Sequence, residues 1–430
     1  MEAVSGSNDP VAPAAPRGEL ALSHRPRPLM ATLATESQRP DAPVAEAIIG
    51  ERASAWPRVA VLFSSMAIVA GILWDISWHK TIGRDTFWTP PHLLEQLGAI
   101  AAGVSCGWLV LRTTFAGSSR SRAESVRFWG FRGPLGAWVT IWGTFVMITS
   151  APFDDWWHNA YGLDVKIMSP PHMVLAVGMI SVVVGGMLLM LAAQNRATRA
   201  DEVGRLARAF ICAGGLLVVM VATMISEYAS RANTMHGVLF YQVAAIAFPV
   251  LLAALGRAGR MRFSATATAL VYMGIILATI WILQLFPAQA KLAPIYTPVT
   301  HMVPPEFPLL LVVPALAVDL LLMRARPGRD SLLAAWVGVV FVFLLLVVQW
   351  WFGEFLLSPA AHNYVFAAGQ WPYMVRPGPW QHRFWGVPTG AAGGLDVGAL
   401  ARGIGAAILI AIGSARVGLW WGDGMSRVVR

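Results

Sequence analysis

Ten mainly apolar stretches recur along the chain, near 58–78, 91–112, 133–153, 171–194, 206–227, 237–256, 264–286, 305–323, 331–353 and 398–420. At 1.5 Å of rise per residue, about 20 residues cross a hydrocarbon core roughly 30 Å thick as a helix. The expected fold class is therefore all-α integral membrane, with about ten transmembrane helices in contact with the lipid bilayer. Residues 1–55 are rich in Ala, Pro, Arg and Glu and lack the continuous apolar core of a secretory signal, so they are expected to be a disordered cytoplasmic tail.

Composition agrees with this class. Of 430 residues, 56% are hydrophobic and 13% charged, well below the roughly 25% charged of soluble domains. The formal charge of +9 does not point to nucleic acid, because the cations gather in alternate connections. Arg112, Arg120, Arg122, Arg127 and Arg132 follow the second span, and Arg196, Arg199, Arg205 and Arg208 the fourth. Arg257, Arg260 and Arg262 follow the sixth, and Arg324, Arg326 and Arg329 the eighth. By the positive-inside rule both termini are expected to be cytoplasmic and the odd-numbered connections to face outward. Cys106 and Cys212 fall inside spans, as packing residues rather than a disulfide framework.

Histidine follows the opposite distribution. His24 lies in the tail, whereas His79, His92, His158, His172, His236, His301, His362 and His382 map to outward connections or adjoining helix ends. Two segments there are copies of one another. Asp75, Trp78, His79, Gly83, Asp85, Pro90, Pro91 and His92 recur as Asp154, Trp157, His158, Gly162, Asp164, Pro170, Pro171 and His172, with one extra residue in the second copy. This is a duplicated helical hairpin carrying the motifs D-x3-H-x12-H and D-x3-H-x13-H, and internal repeats are a common way for membrane folds to grow.

The spacing has a chemical meaning. Asp at i and His at i+4 share one helix face, and the second His follows a Pro-Pro pair suited to a first helical turn. Each copy can thus aim one carboxylate and two imidazoles at a common point, a 2-His-1-carboxylate set that accepts iron, copper or zinc. Glu95, three residues after His92, can orient a ligand ring. Arg84, Asp85 and Asp164 are further candidates for the surroundings of the ligands, with Arg84 and Asp85 pairing together or capping the loop. Trp74, Trp78, Trp88, Trp156 and Trp157 read as interfacial aromatics.

At these residues the sequence resembles one membrane component of the copper membrane monooxygenases, the particulate methane and ammonia monooxygenase family. That component carries D-x-x-W-H, then R-D-T, then T-P-x-H-x-x-E. The matching residues are Asp75, Trp78, His79, Arg84, Asp85, Thr86, Thr89, Pro90, His92 and Glu95. The resemblance implies copper on Asp75, His79 and His92, and a neighbouring copper site on His158 and His172. Asp154 stands where the family has Asn, which makes that site more anionic. The resemblance covers residues 58–194, and the family works as an assembly with two other kinds of chain, one bearing a soluble copper domain that has no counterpart here.

The expected organisation is thus a tail over 1–55, a four-helix metal-binding region over 56–194, and six further helices over 195–430 with a long outward loop, 354–397. In the last region Glu227, His236, His301, Glu306, His362 and His382 read as hydrogen-bonded loop residues, or as further ligands or a cavity wall. Asp319, near the inner end of the eighth span, is expected to pair with Arg324 or to snorkel. The expected function is copper binding and a part in O2-dependent hydroxylation of a small apolar substrate, with companion monooxygenase subunits or as a homo-oligomer. Two alternatives are non-catalytic copper storage, delivery or oxidase assembly, and a zinc-dependent membrane hydrolase.

Overall fold

The computed structural model describes residues 42–83, 88–161, 169–291, 299–366 and 386–430, with side chains from residue 55 onward except that of His158. Gly50–Arg430 is one compact unit.

Where the sequence is continuously apolar and free of paired prolines, it is helical. The long helices are α1 (Ala42–Thr81), α2 (Pro90–Phe115), α4 (Leu135–Tyr161), α5 (Pro170–Arg196) and α6 (Ala200–Met224). They continue as α8 (Val238–Ala258), α9 (Ser264–Leu283), α11 (Asp330–Leu356) and α12 (Val397–Ser426). All nine are long and apolar enough to cross a membrane, and among the described residues they make an integral membrane protein. Short pieces join them: α3 (Ser119–Ala123), α7 (Ser226–Ala229) and a hairpin of β1 (Val126–Phe128) with β2 (Phe131–Gly133).

The expected span at 305–323 is not a full crossing. Only α10 (Val312–Leu322, 11 residues) is helical there, and residues 302–309 run without regular structure. Pro304, Pro305 and Pro308 remove three backbone donors and forbid an α-helix through this stretch. The stretch is nevertheless buried, with Val303, Leu309 and Leu311 at 1% exposure or less, so its amides need partners. Side chains supply them: Val303 N donates to Thr81 Oγ1 at 2.8 Å, Leu309 N to the Tyr272 hydroxyl at 3.0 Å, and Leu310 N to Gln349 Oε1 at 3.1 Å. Three helices, α1, α9 and α11, therefore hold a broken one in place.

Asp319 also departs from expectation. It is buried in α10 and accepts from Ala265 N (3.1 Å), Thr266 N (2.8 Å) and Thr266 Oγ1 (2.7 Å), capping the start of α9. Those amides are among the four that every helix leaves without an internal partner, and a carboxylate there also meets the positive end of the helix dipole. Arg324 instead turns to the Leu320 carbonyl. At the same end of α9, Arg257 of α8 donates from Nε to Asp423 of α12 (2.6 Å) and from a terminal nitrogen to Asp330 of α11 (3.0 Å), tying three helices together.

Within the region of the repeat, small residues set the helix approach. A Cβ on Gly98 of α2 would lie 3.1 Å from the Ser64 carbonyl oxygen and 3.1 Å from Ile68 of α1. A Cβ on Gly178 of α5 would lie 2.7 Å from Met147 Cγ and 3.0 Å from the Gly143 carbonyl oxygen of α4. Gly98 and Gly178 each fall six residues after the second histidine of their copy. Ile68 and Met147 each fall seven residues before its aspartate. The two hairpins thus cross at equivalent positions, so the duplication extends from the polar ends into the packing.

Candidate metal centre

Asp75 and His79 belong to the last two turns of α1, and His92 to the first turn of α2. The α2 start is set by Thr89 at the N-cap, in extended backbone (φ −65°, ψ 147°), followed by Pro90 and Pro91. Close approach of α1 and α2 brings the three side chains together. The Nε2 atom of His79 lies 3.6 Å from Asp75 Oδ2, and that of His92 lies 3.4 Å from Asp75 Oδ1. One carboxylate is therefore flanked by two imidazoles. Asp75 is 8% exposed, while the side chains of His92 and His79 are 21% and 43% exposed.

These separations exceed the 2.7–3.2 Å of a direct N–H···O bond. The two imidazoles approach different oxygens of the carboxylate, His79 at Oδ2 and His92 at Oδ1. Asp75 Oδ1 is buried and makes no hydrogen bond among the described residues, its contact to His92 being an ion-pair distance. Among the described residues no group of three or more His, Cys, Asp and Glu side chains is placed so as to hold a metal ion.

The second copy repeats half of this arrangement. His172 Nε2 lies 3.6 Å from Asp154 Oδ1, with Asp154 on α4 and His172 in the first turn of α5. Ser169 caps α5 by accepting from His172 N at 3.4 Å. The His158 side chain lies outside the described residues, as do Arg84, Asp85, Asp164 and His382. Glu95 is buried at 1% and its stem packs on Gly71 of α1, where an added Cβ would come within 2.4 Å of Glu95 Cγ.

The other candidates from the second half are dispersed. Glu306 receives the Lys80 ammonium at 3.1 Å, a partnership the sequence pattern does not suggest. His236 is fully buried beside Glu354 (3.5 Å), with its ring edge-on to Trp350. His301 Nδ1 lies 3.0 Å from Thr300 Oγ1, and an exposed His362 follows a 3-10 turn, Pro359–Ala361, whose Ala361 is buried. Glu227 of α7 lines a small open cleft with Leu73, Ile76, Lys80, Arg231 and Glu306. Successive helical residues are about 100° apart, so α1 presents Asp75 and His79 on one side and Ile76 and Lys80 on the next.

Lys80 and Thr81 are the residues that sequence reasoning missed. One answers a glutamate and the other an amide, both on the broken segment, and no local spacing announces a partner more than 220 positions away. Comparison with protein-family models, curated proteins and solved structures gave no match.

Proposed function

We propose that this is a copper-binding membrane protein of the copper membrane monooxygenase type, which takes part in O2-dependent hydroxylation of a small apolar substrate. The observation that carries the reading is the buried Asp75 carboxylate held between the Nε2 atoms of His79 and His92. Asp154 and His172, with His158, would hold a second ion. Copper is favoured over iron and zinc by the resemblance across Asp75–Glu95, the donor set itself accepting all three. Bound copper would supply one-electron chemistry toward dioxygen.

The residues themselves do the rest. Asp75 contributes the negative charge, and its burial keeps water from competing for it. The Lys80 ammonium is paired with Glu306. Leu97, Ile100 and Val104 expose an apolar flank of α2 to the bilayer, the phase in which a small apolar substrate concentrates. In this reading both termini are cytoplasmic and the metal sites lie toward the extracytoplasmic side.

Metal analysis of detergent-purified protein tests it. Wild type loaded with copper should retain the metal after dialysis, and His79→Ala and His92→Ala should each lose one equivalent. Unchanged stoichiometry in both variants rejects the site. The exposure of His79 favours a second reading, copper storage or delivery, because an exposed ligand can hand an ion to a partner. Oxygen uptake coupled to hydroxylation separates the two.

A further inference from the structure

We propose that the β1–β2 hairpin is a membrane-surface anchor that binds an anionic phospholipid headgroup. This rests on neither the copper reading nor the orientation of the chain.

The hairpin turns through Trp129 (φ 47°) and Gly130 (φ 86°). Two consecutive positive φ values match the strand twist of a type I′ turn, but they suit Asn-Gly or Gly-Gly, and a bulky aromatic at the first position is strained. Trp129 is held there by its neighbours: it stacks on Phe128 at 4.9 Å and meets Trp142 of α4 edge-on at 6.1 Å. It is still 80% exposed, and Trp142 and Phe145 beside it are exposed too. Trp142 lies about 10 Å along α4 from its first residue, and α4, with 27 residues, is about 40 Å long against a hydrocarbon core of about 30 Å. The hairpin tip therefore lies beside the lipid-facing flank of α4, at the depth where Trp partitions between headgroups and acyl chains.

The strand register fixes where the charges stand. Phe128 pairs with Phe131 and Val126 with Gly133, so these four share a face. That face packs on the bundle, with Phe131 against Phe115 and Phe128 against Trp138. Arg127 and Arg132 are directly opposed on the other face, Arg127 exposed and Arg132 partly buried. Like charges in that position repel. No acidic side chain pairs with Arg122, Arg127 or Arg132 among the described residues; the Arg132 guanidinium donates to the Arg122 backbone carbonyl and that of Arg122 to the Phe115 carbonyl. Glu124, the neighbouring carboxylate, is already taken by Arg120 (2.9 Å) and Arg196 (3.6 Å). A phosphate would resolve the Arg127–Arg132 repulsion. The adjacent exposed Trp129 and Trp142 select the phosphate of a lipid over one free in solution or an acidic segment of a partner protein.

Full-length protein in nanodiscs provides the test. Wild type should retain phosphatidylglycerol through native mass spectrometry and melt higher in phosphatidylglycerol than in phosphatidylcholine. R127Q/R132Q should bind the anionic lipid about 30-fold more weakly, the effect of two surface cations at about 1 kcal/mol each, while R127K/R132K should keep most of the binding. Equal retention by the Gln and wild-type proteins, or equal stabilisation by inorganic phosphate, overturns the proposal. A nitroxide on Trp129→Cys, in a background lacking Cys106 and Cys212, should be more accessible to oxygen than to a water-soluble nickel chelate. Accessibility like that of a bulk aqueous site also overturns it.

Discussion

Lys80 and Glu306 join the end of α1 to the broken segment, and removing one partner should expose how much that join contributes. At 3.1 Å, and with an effective dielectric of about 20, the gross attraction is about 5 kcal/mol. Their side chains are 16% and 11% exposed, so desolvation offsets a large part of it. Glu306→Gln leaves the ammonium in a poorly solvated place with a weaker acceptor, and Lys80→Met does the converse to the carboxylate. Each should cost about 2–3 kcal/mol, while Lys80→Met with Glu306→Leu replaces both charges by apolar groups and should cost about 1 kcal/mol. The non-additivity is then about 3 kcal/mol or more. At roughly 1 °C per kcal/mol for a chain of this size, each single variant should melt about 2–3 °C below wild type, and the double variant within about 1 °C of it. Thermal scans of detergent-solubilised protein, followed by helical circular dichroism at one scan rate, read this directly. If the double variant falls by the sum of the two single losses, the pair is a surface contact and not a tie.

Three further outcomes follow from the packing. Asp319→Ala removes the acceptor of two amides and a hydroxyl at the start of α9; it should cost about 2 kcal/mol or more and accelerate hydrogen exchange at Ala265 and Thr266, whereas unchanged exchange denies the cap. Gly178→Val forces a side chain into Met147 and should cost about 1–3 kcal/mol while weakening metal binding at the second copy alone; equal loss at both copies would mean general unfolding. Arg257→Met separates α8 from Asp330 and Asp423, and because those carboxylates are partly solvated the loss should be about 1–2 kcal/mol, reduced further at high salt; a salt-independent loss would point to packing instead.

Legibility follows the range of the interaction. Helices α1, α2, α4 and α5 can be read from apolar runs bounded by Pro-Pro pairs, because helix starts are set within a few residues. The grouping of Asp75 with His79 is readable for the same reason, the i to i+4 relation being local. His92 is readable through the repeat, through the Pro-Pro pair before it and through the resemblance. The eighth span is misleading in sequence because "PPEFPLLL" is as apolar as a helix, and hydropathy does not register that three prolines leave the backbone to be satisfied by Thr81, Tyr272 and Gln349. Asp319 suggests a partner nearby in sequence, yet its actual partners lie more than 50 residues away. The Arg-rich connection after α2 shows only charge in the sequence. Its strand pairing is an arrangement of three-residue segments too short to show a period.

In the proposed function Asp75, His79 and His92 would hold one metal ion. A copper-edge anomalous difference map of copper-loaded protein tests it most directly. A peak should lie about 2.0–2.3 Å from a carboxylate oxygen of Asp75 and from Nε2 of both His79 and His92, bond lengths ordinary for nitrogen and oxygen ligands. Copper bound elsewhere, with that gap empty, would contradict it.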